Sequence, residues 1–420
     1  MRRAALYLCY YNITEPLVQT QVVAYLRELA RSGFEIHLLT FEKERLERSR
    51  HVEIQEKLRR EGIRWQWLRY HRWPSLPATL YDILRGSVKA LVLCSGHEIR
   101  LVHGRSHVGT AMAWPVKYLL GAKLVFDIRG LLADEYVDAG RWARDSGKYR
   151  LTKMVERLLF RKADALIVLT GALKSELVTT ESALRDRTRD IEVIPCCAPM
   201  ERFISITTTQ RQTERVRRGW DGQRVLAYAG KLGAWYLMEE MALFFRVAYQ
   251  EDSRLFLQVL TQSEAGPMRR ALEGAGVPSA AYDFGYVEPD EMPLALSAAD
   301  AGISFRVASR GSLGVSPAKV GEYLAAGLPV VSTSGIGDCD EILARPNLGV
   351  IVRRLDETEY RRAARALVRL LDDPATRGLC REFAQRELSL TRIGGPRYAS
   401  VYQRLLTSTH ERPVATSQRS

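Results

Sequence analysis

The sequence contains no apolar run close to the roughly eighteen residues that a membrane-spanning helix requires. Its opening segment, MRRAALYLCYYN, has two arginines and a short apolar run but lacks a signal-peptide cleavage pattern, so we expect a first strand there. None of the six cysteines lies in a CxxC motif or at zinc-like spacing, which favours reduced thiols and a cytoplasmic protein.

Acidic residues are scarcer than basic ones. The chain has 49 Asp and Glu against 62 Lys and Arg, a formal net charge of +13. Such an excess predicts an anionic partner, which could be nucleic acid, an anionic membrane surface or a phosphorylated small molecule. With 420 residues, of which 46% are hydrophobic, the chain is long enough for two domains, each with its own core.

Apolar strands alternate with amphipathic helices in both halves of the chain, the pattern of doubly wound parallel sheets with an α/β fold. The first half has strands at 4–11, 35–41, 99–102, 124–126, 165–169 and 191–194, and the second at 225–228, 255–260, 282–287, 300–305 and 328–331. We predict one domain at 1–200, a polar linker at 201–222, a second domain at 223–392, a last helix at about 395–407 and a disordered tail at 408–420.

The stretch from Gly311 to Glu341, GSLGVSPAKVGEYLAAGLPVVSTSGIGDCDE, suits a phosphate-bearing ligand. Ser316 is expected to cap a short helix with Pro317 at its first position, and Gly327 is expected to end it. Free backbone N–H groups and the positive helix end favour an anion there. Lys319 would add a point charge, and Glu322 would accept two hydrogen bonds from a ribose diol.

This stretch resembles the donor-nucleotide signature of the family 4 retaining glycosyltransferases, which have the two-domain GT-B fold. The matching residues are Ser316, Pro317, Lys319, Glu322, Tyr323, Leu324, Gly327, Pro329, Val330, Gly335 and Gly337. The resemblance implies transfer of a sugar from a nucleoside diphosphate to a glycan or lipid-linked acceptor, with retention and without a metal or other cofactor. It also implies that the last helix crosses back to the first domain.

The resemblance extends to the loop Ala229–Gly233 after the first strand of the second half. Related enzymes place an Arg or Lys just after this glycine, which Lys231 matches, and a Lys five positions later, where this chain has Tyr236. Many relatives also carry a glutamate at the position of Gly314. We therefore expect Lys231 and Glu322 to act in catalysis, and the donor to contact Gly230, Gly233, Gly285, Tyr286, Ser312, Gly314, Ser316, Pro317, Lys319 and Glu322.

Two polar clusters follow strands of the first half, where an open parallel sheet binds ligands. The motifs HxRS at 103–106 and FDxRGxxxDE at 126–135 recur in a subset of these transferases, although many relatives have a catalytic histidine at the position of Asp127. We expect His103, Asp127 and Arg129 to act in catalysis, although structural ion pairs of Asp127 with Arg105 or Arg129 would give the same pattern. The expected acceptor contacts are Asn12, Thr14, Glu15, Gln19, Arg105, Asp134 and Glu135.

Aromatic and basic residues alternate between Arg59 and Arg85, and an apolar helical pattern continues to about residue 94. Such a segment, 59–94, is typical of a surface that faces anionic lipid. Strand alternation through Trp65, Trp67 and Arg69 fits an edge strand equally well, and a nucleic-acid surface is a third reading. We expect membrane contact, no nucleic acid, and a cytoplasmic protein that is peripheral on the inner face of the plasma membrane.

Other functions remain open at this stage. Asp338-Cys339-Asp340 resembles a metal-binding DxD motif but follows the wrong strand, so we expect no metal there. A nucleotide-sugar epimerase or a phosphorylase would use the same fold. A non-catalytic scaffold that binds RNA or a membrane would explain Gly314 and Tyr236.

Overall fold

The computed structural model describes residues 3–44, 47–233 and 235–407. The predicted tail at 408–420 lies outside them. In the described part of the chain, no helix combines the length and the apolar character needed to cross a bilayer.

The first domain is built on a parallel sheet of seven strands in the order β3-β2-β1-β4-β5-β6-β7. Its strands are β1 (Ala4–Cys9), β2 (Glu35–Glu42), β3 (Ile63–Arg69), β4 (Leu101–Arg105), β5 (Lys123–Asp127), β6 (Ala165–Val168) and β7 (Ile191–Val193). Its helices are α1 (Pro16–Val18), α2 (Ala24–Arg31), α3 (Arg48–Arg60), α4 (Ser75–Gly96), α5 (Ser106–Leu120), α6 (Leu132–Asp138), α7 (Gly147–Lys162) and α8 (Gly171–Thr180).

The second domain has a parallel sheet of six strands in the order β10-β9-β8-β11-β12-β13. Its strands are β8 (Arg224–Ala229), β9 (Leu255–Leu260), β10 (Tyr282–Gly285), β11 (Ala301–Ser304), β12 (Val330–Thr333) and β13 (Gly349–Val352). The remaining helices are α9 (Glu201–Ile204), α10 (Thr208–Arg217), α11 (Met238–Glu251), α12 (Gly266–Gly274), α13 (Met292–Ala298), α14 (Ala318–Ala326), α15 (Cys339–Leu343), α16 (Glu357–Asp372), α17 (Thr376–Glu387) and α18 (Gly395–Thr407).

Most strands are continuous apolar runs because helices cover both faces of each sheet. In β1 all six residues are buried, with Ala5 and Tyr7 packing into the core on one face and Ala4 and Leu6 into the core on the other. The six cysteines are buried, and none of them is paired in a disulfide.

The chain crosses between the domains twice, and the two crossings lie side by side. Cys197 belongs to the core of the first domain and Ala198 to that of the second. On the return, Leu388 packs in the second core and Leu390 in the first. The amide of Ala198 donates to the Leu388 carbonyl at 2.8 Å, so the two crossing segments are hydrogen-bonded to each other.

The prediction of a polar linker at 201–222 is wrong, because this segment forms α9 and α10 and packs on the second domain. Trp220 is buried, and Arg215 donates to Asp300 at 2.9 Å and to the Trp220 carbonyl at 2.9 Å. The segment lacks an apolar stripe because arginine contacts with a carboxylate and carbonyls hold α10 in place.

The predicted last helix and its return to the first domain are confirmed. Helix α18 packs against α2 and β4, and Tyr398 and Tyr402 are buried there. The first domain therefore comprises residues up to Cys197 together with 390–407.

The segment 59–94 divides into two parts with different environments. Strand β3 is an edge strand in which Trp65 is buried and donates to the Thr40 hydroxyl at 2.8 Å, so the edge-strand interpretation holds for 63–69. Beyond it, Trp73 is 85% exposed, and α4 carries an exposed apolar stripe.

Candidate active site

The carboxyl ends of the two sheets face each other, and the loops that follow them make direct contact. Asp338, after β12, accepts from the backbone amides of Gly171 and Ala172 at 2.8 and 2.9 Å, at the N-terminus of α8. Arg310, after β11, pairs with Glu176 at 2.9 Å. Each of these contacts links the second domain to the first, so the cleft is closed in this structure.

Helix α14 begins one residue later than predicted. Pro317 is its N-cap and no side chain caps it. Ser316, the expected cap, instead accepts a hydrogen bond from the backbone amide of Cys196 in the first domain at 3.1 Å. The uncapped first turn leaves the positive end of α14 available to an anion. Gly327 ends the helix with φ of +83°, as predicted.

Gly314 lies at a close contact between the two domains. A Cβ at this position would lie 2.9 Å from Cδ2 of Leu173 and 3.3 Å from Cα of Gly130, both in the first domain. A glutamate side chain therefore has no room here in the closed arrangement. Ser312 is buried beside it, and its hydroxyl donates to carbonyls of Ser309 and Gly335, both at 2.7 Å, so it supports the loop.

The ammonium group of Lys319 lies between two aromatic rings. Its Nζ is 3.9 Å from the ring centroid of Tyr228 and 3.9 Å from that of Tyr236. The residue is 8% exposed, and Nζ has no hydrogen-bond partner among the described residues. Burial, together with the charge of Arg306, lowers the pKa of Lys319 well below its ordinary value. Burial without an ion-pair partner therefore favours the neutral amine of Lys319, and an anion bound beside it would favour the charged form.

Arg306, which directly follows β11 and Phe305, is a site residue that sequence reasoning missed. Its guanidinium lies 5.2 Å from the ring centroid of Trp235 and 5.7 Å from that of Tyr236. Its position directly after the predicted strand 300–305 could have identified it, since ligands bind at the carboxyl ends of such strands. The family pattern instead assigns the positive charges to the loop after β8.

Glu322 lies one turn beyond Lys319 on α14 and is partly exposed. Burial raises the pKa of its carboxyl group to about 7, against the opposing charges of Arg202 and Lys319. Its carboxylate makes no hydrogen bond or ion pair within the part of the chain that the structure describes, so it is available to a ligand.

The other donor-side candidates lie at the same edge of the second sheet. Gly230, Lys231 and Gly233 follow β8, with Gly230 and Lys231 exposed. A Cβ on Gly230 would lie 3.3 Å from Nζ of Lys319, which places this loop directly over the ammonium. Gly285 ends β10, and the exposed Tyr286 donates to Glu288 at 3.0 Å. These positions agree with the predicted donor site, and their roles stay predictions.

His103 and Asp127 are not in the cleft, so the prediction that they contact the sugar or acceptor is wrong in this structure. Both have no exposed surface because α18 covers them. Tyr398 and Tyr7 each donate to Asp127 at 3.2 Å, and His103 bonds the Tyr402 hydroxyl at 2.9 Å.

Asp127 instead balances two arginines. Its carboxylate lies 3.3 Å from Arg129 and 3.8 Å from Arg105. Burial alone would raise the pKa of Asp127, but Arg129, His103 and Arg105 hold it below its usual value. Arg105 and Arg129 also donate to the Gln21 carbonyl at 3.3 and 3.1 Å. Arg105 is buried and therefore structural, whereas the side chain of Arg129 keeps 12% of its surface exposed.

The loop after β1 is held mainly by its own contacts. Gln19 donates to the Ile13 carbonyl at 2.7 Å, and Glu15 pairs with Lys43 at 2.6 Å. The carbonyl of Asn12 accepts from the Glu15 amide at 3.1 Å, whereas Thr14 is exposed. Thr14 and Asn12 therefore remain acceptor candidates, whereas the side chains of Gln19 and Glu15 are already engaged.

The adjacent acids Asp134 and Glu135 have different environments. Asp134 is fully buried and accepts from Tyr149 and Lys153, both at 3.1 Å, so its predicted role as an acceptor contact is wrong here. Glu135 faces the second domain, where Trp235 donates to its backbone carbonyl at 3.3 Å. Burial raises the pKa of Glu135 to about 7 despite the charge of Arg306. Gly130, with φ of +154°, leaves room for the Glu135 side chain.

The DxD-like acids are engaged with backbone groups. Asp338 binds the amides at the start of α8, and Asp340 accepts from the Gly335 amide at 2.6 Å. Within the described residues, no group of three or more His, Cys, Asp or Glu side chains is arranged to hold a metal ion.

Residues 18–197 match the family model described as "Glycosyl transferase 4-like domain". This match covers most of the first domain of the chain. No curated protein matches the chain in sequence.

Solved structures establish the GT-B fold for nearly the whole chain. A glycosyltransferase from Rickettsia africae superposes with a TM-score of 0.72 at 11% identity, covering 96% of this chain and 99% of that one. HepE of Anabaena, solved with UDP and glucose, gives a TM-score of 0.66 at 12% identity, with 97% and 99% covered. WaaG, a glycosyltransferase of lipopolysaccharide biosynthesis, gives 0.65 at 16% identity, with 95% and 99% covered.

Replacing Asp127 with Asn tests its structural role. The substitution leaves Arg105 and Arg129 without a counter-charge in a buried site, so we expect a loss of about 3–5 kcal/mol in the free energy of unfolding at pH 7. Urea unfolding followed by circular dichroism measures it. Asp290→Asn, at an exposed site, is the matched control with little expected change. An unchanged unfolding curve together with lost activity would instead indicate a catalytic role for Asp127.

Glu135→Gln tests the environment of the cleft through the pH dependence of stability. Burial on folding raises the pKa of this carboxyl group from 4.5 to about 7, so its ionisation opposes folding as pH rises through that window. The amide cannot ionise. We expect the variant to melt above the wild type at pH 8 and at the same temperature at pH 4.5, in thermal unfolding followed by circular dichroism. A pH-independent difference contradicts this.

Proposed function

We propose that the chain transfers a glycosyl group from a nucleoside diphosphate sugar to a hydroxyl group of a glycan or lipid-linked acceptor, with retention at the anomeric carbon. The observation that carries the proposal is the buried, uncompensated Lys319 beside the uncapped N-terminus of α14, at the carboxyl edge of the second sheet. The glycosyl transferase 4-like domain and the GT-B fold support it. HepE, solved with UDP-glucose, shows that this fold accommodates such a donor.

In this reaction the bond between the anomeric carbon and the phosphate oxygen breaks, and its electron pair passes to the diphosphate. The acceptor oxygen bonds to the anomeric carbon, and the departing diphosphate takes the hydroxyl proton. Fixed positive charge that receives the leaving group lowers the barrier most, because it needs no reorganisation. Lys231, Lys319 and the end of α14 supply that charge without a metal. Glu322 holds the ribose diol.

The first domain presents the acceptor. Glu135, Thr14 and Asn12 lie at its carboxyl edge, and Arg129 adds a partly exposed positive charge fixed by Asp127. The contacts of Asp338 with α8 and of Ser316 with Cys196 close the cleft, which limits attack by water. Exchange of substrates therefore requires these interdomain contacts to open.

The exposed apolar face of α4 supports a lipid-linked acceptor. The exposed apolar stripe consists of Trp73, Leu76, Leu80, Leu84, Val88 and Val92. Arg72, Arg85 and Lys89 flank it. An apolar helix face bordered by basic residues binds the interface of an anionic bilayer. We therefore place the chain on the inner face of a bacterial plasma membrane, where lipid-linked glycans of surface polysaccharides are extended.

The donor test uses a panel of UDP- and GDP-sugars with the wild type and two variants, Lys231→Ala and Glu322→Ala. We expect one donor to bind, and each variant to lower transfer by orders of magnitude while melting like the wild type. Glu382→Ala, at an exposed acid of α17 away from the pocket, is the control.

The panel also separates the competing functions. Nucleoside diphosphate released only in the presence of acceptor supports a transferase, whereas turnover without acceptor supports an epimerase or phosphorylase. A wild type that binds no donor would identify a non-catalytic scaffold, and near-normal transfer by either variant would remove that residue from the mechanism.

Vesicle binding tests the membrane surface. Leu84, which is 63% exposed, is replaced by Glu, and Val216, 60% exposed on α10, is replaced by Glu as the matched control. Co-sedimentation with phosphatidylglycerol–phosphatidylcholine vesicles should fall roughly tenfold for Leu84→Glu and stay unchanged for Val216→Glu. Equal binding by both variants, or wild-type binding that is no stronger than to phosphatidylcholine alone, counts against the membrane site.

A further inference from the structure

Arg306 is a positive charge to which the family pattern assigns no role. The resemblance calls for a lysine five positions after Lys231, and this chain has Tyr236 there. The ring of Tyr236 contacts two cations instead, Lys319 at 3.9 Å and Arg306 at 5.7 Å from its centroid. Residues 236 and 306 also pair as an isolated antiparallel β-bridge, so the backbone fixes Arg306 beside the position where the lysine is missing.

We infer that Arg306 supplies the second positive charge of the diphosphate site and takes the place of the lysine that is absent at position 236. The inference rests on the proposed function and deepens it. Nothing in the family signature assigns a role to Arg306.

The backbone and ring contacts of Arg306 fix its position, while N–H groups of its guanidinium stay available to a ligand. The ring of Trp235 lies on its guanidinium at 5.2 Å, and its backbone amide donates to the Thr333 hydroxyl at 2.9 Å. Its Nε is buried and has no hydrogen-bond partner in the described chain. Neither Arg306 nor Lys319 forms an ion pair with any described residue. A guanidinium presents five N–H donors in a planar fork, which matches phosphate oxygens.

The two cations are close enough to destabilise each other. The charge of Arg306 contributes to the lowered pKa of Lys319. An anion that contacts both side chains would offset this repulsion and raise the pKa of Lys319 again. The acids nearest to them do not neutralise them fully, since burial raises the pKa of both Glu322 and Glu135 to about 7. A ligand with two negative charges, such as the diphosphate of a nucleotide, fits this pair.

The geometry also separates Arg306 from the nucleoside. Glu322, the expected ribose ligand, lies beyond Lys319 on α14, whereas Arg306 lies toward Glu135 of the first domain. Arg306 should therefore contact the terminal phosphate, where charge accumulates as the sugar leaves. Its loss should weaken binding of the diphosphate and leave binding of the nucleoside unchanged.

The test is isothermal titration of UDP, GDP, uridine and guanosine into the wild type, Arg306→Ala and Arg306→Lys. Arg306→Ala should weaken binding of the preferred diphosphate at least about tenfold, with nucleoside affinity unchanged, and Arg306→Lys should recover part of the loss. Arg386→Ala, at an exposed arginine of α17 in the same domain, is the matched control and should bind both ligands like the wild type.

The double variant Tyr236→Lys/Arg306→Ala gives the sharpest test. If Arg306 replaces the missing lysine, a lysine at 236 should restore diphosphate affinity relative to Arg306→Ala alone. Full diphosphate affinity in Arg306→Ala overturns the inference while leaving the proposed function intact. Equal loss of nucleoside and diphosphate overturns it in favour of a structural role. A wild type that binds neither diphosphate contradicts the proposed function, and the inference falls with it.

Discussion

The ammonium of Lys319 between the rings of Tyr228 and Tyr236 is the interaction on which the donor side of this molecule depends. Aromatic faces stabilise a cation, but they satisfy none of its three N–H donors. The folded chain therefore buries this amine without an ion-pair partner, which lowers its pKa and favours its neutral form. Such a group costs stability, and an anionic ligand recovers that cost on binding. The glycine at 230 and the uncapped start of α14 leave space and donors for that ligand at the same point.

Much of the architecture could be predicted because it depends on local pattern. Buried parallel strands give continuous apolar runs, so eleven of the thirteen described strands and the end of the first domain near residue 200 were predicted. Strand β13 was not predicted, and β3 was one of three readings of its segment. The features that were missed depend on contacts between distant segments. Ser316 was expected to cap its own helix, but its hydroxyl accepts a hydrogen bond from the amide of Cys196, 120 residues away. The segment 201–222 was read as a linker because contacts between its arginines and Asp300 leave no apolar periodicity.

The same limit explains why the candidate catalytic residues of the first domain were placed only in part. His103 and Asp127 do follow strands that end at the cleft, as the sequence indicated. Nothing near them in the chain shows that Tyr398, 271 residues after Asp127, and Tyr402, 299 residues after His103, cover them. Glu135 and Asp134 are adjacent, yet only Glu135 faces the second domain. Motif spacing identifies the correct edge of a sheet, whereas the exposure of each side chain depends on which helix packs over it.

The departures from the family signature become consistent when they are taken together. Gly314 replaces a glutamate where the domains touch, and its missing side chain allows the loop after β11 to approach Gly130 and Leu173. That approach brings Arg306, on the same loop, toward Glu135 in the cleft. Tyr236 replaces a lysine and offers a ring to both remaining cations. A carboxylate and a lysine of the signature are absent, and Arg306 lies beside the position of the lysine. We therefore propose that the chain keeps a diphosphate site with Lys319 and Arg306 and changes only the loop that carries Arg306, which favours a transferase over a degenerate scaffold.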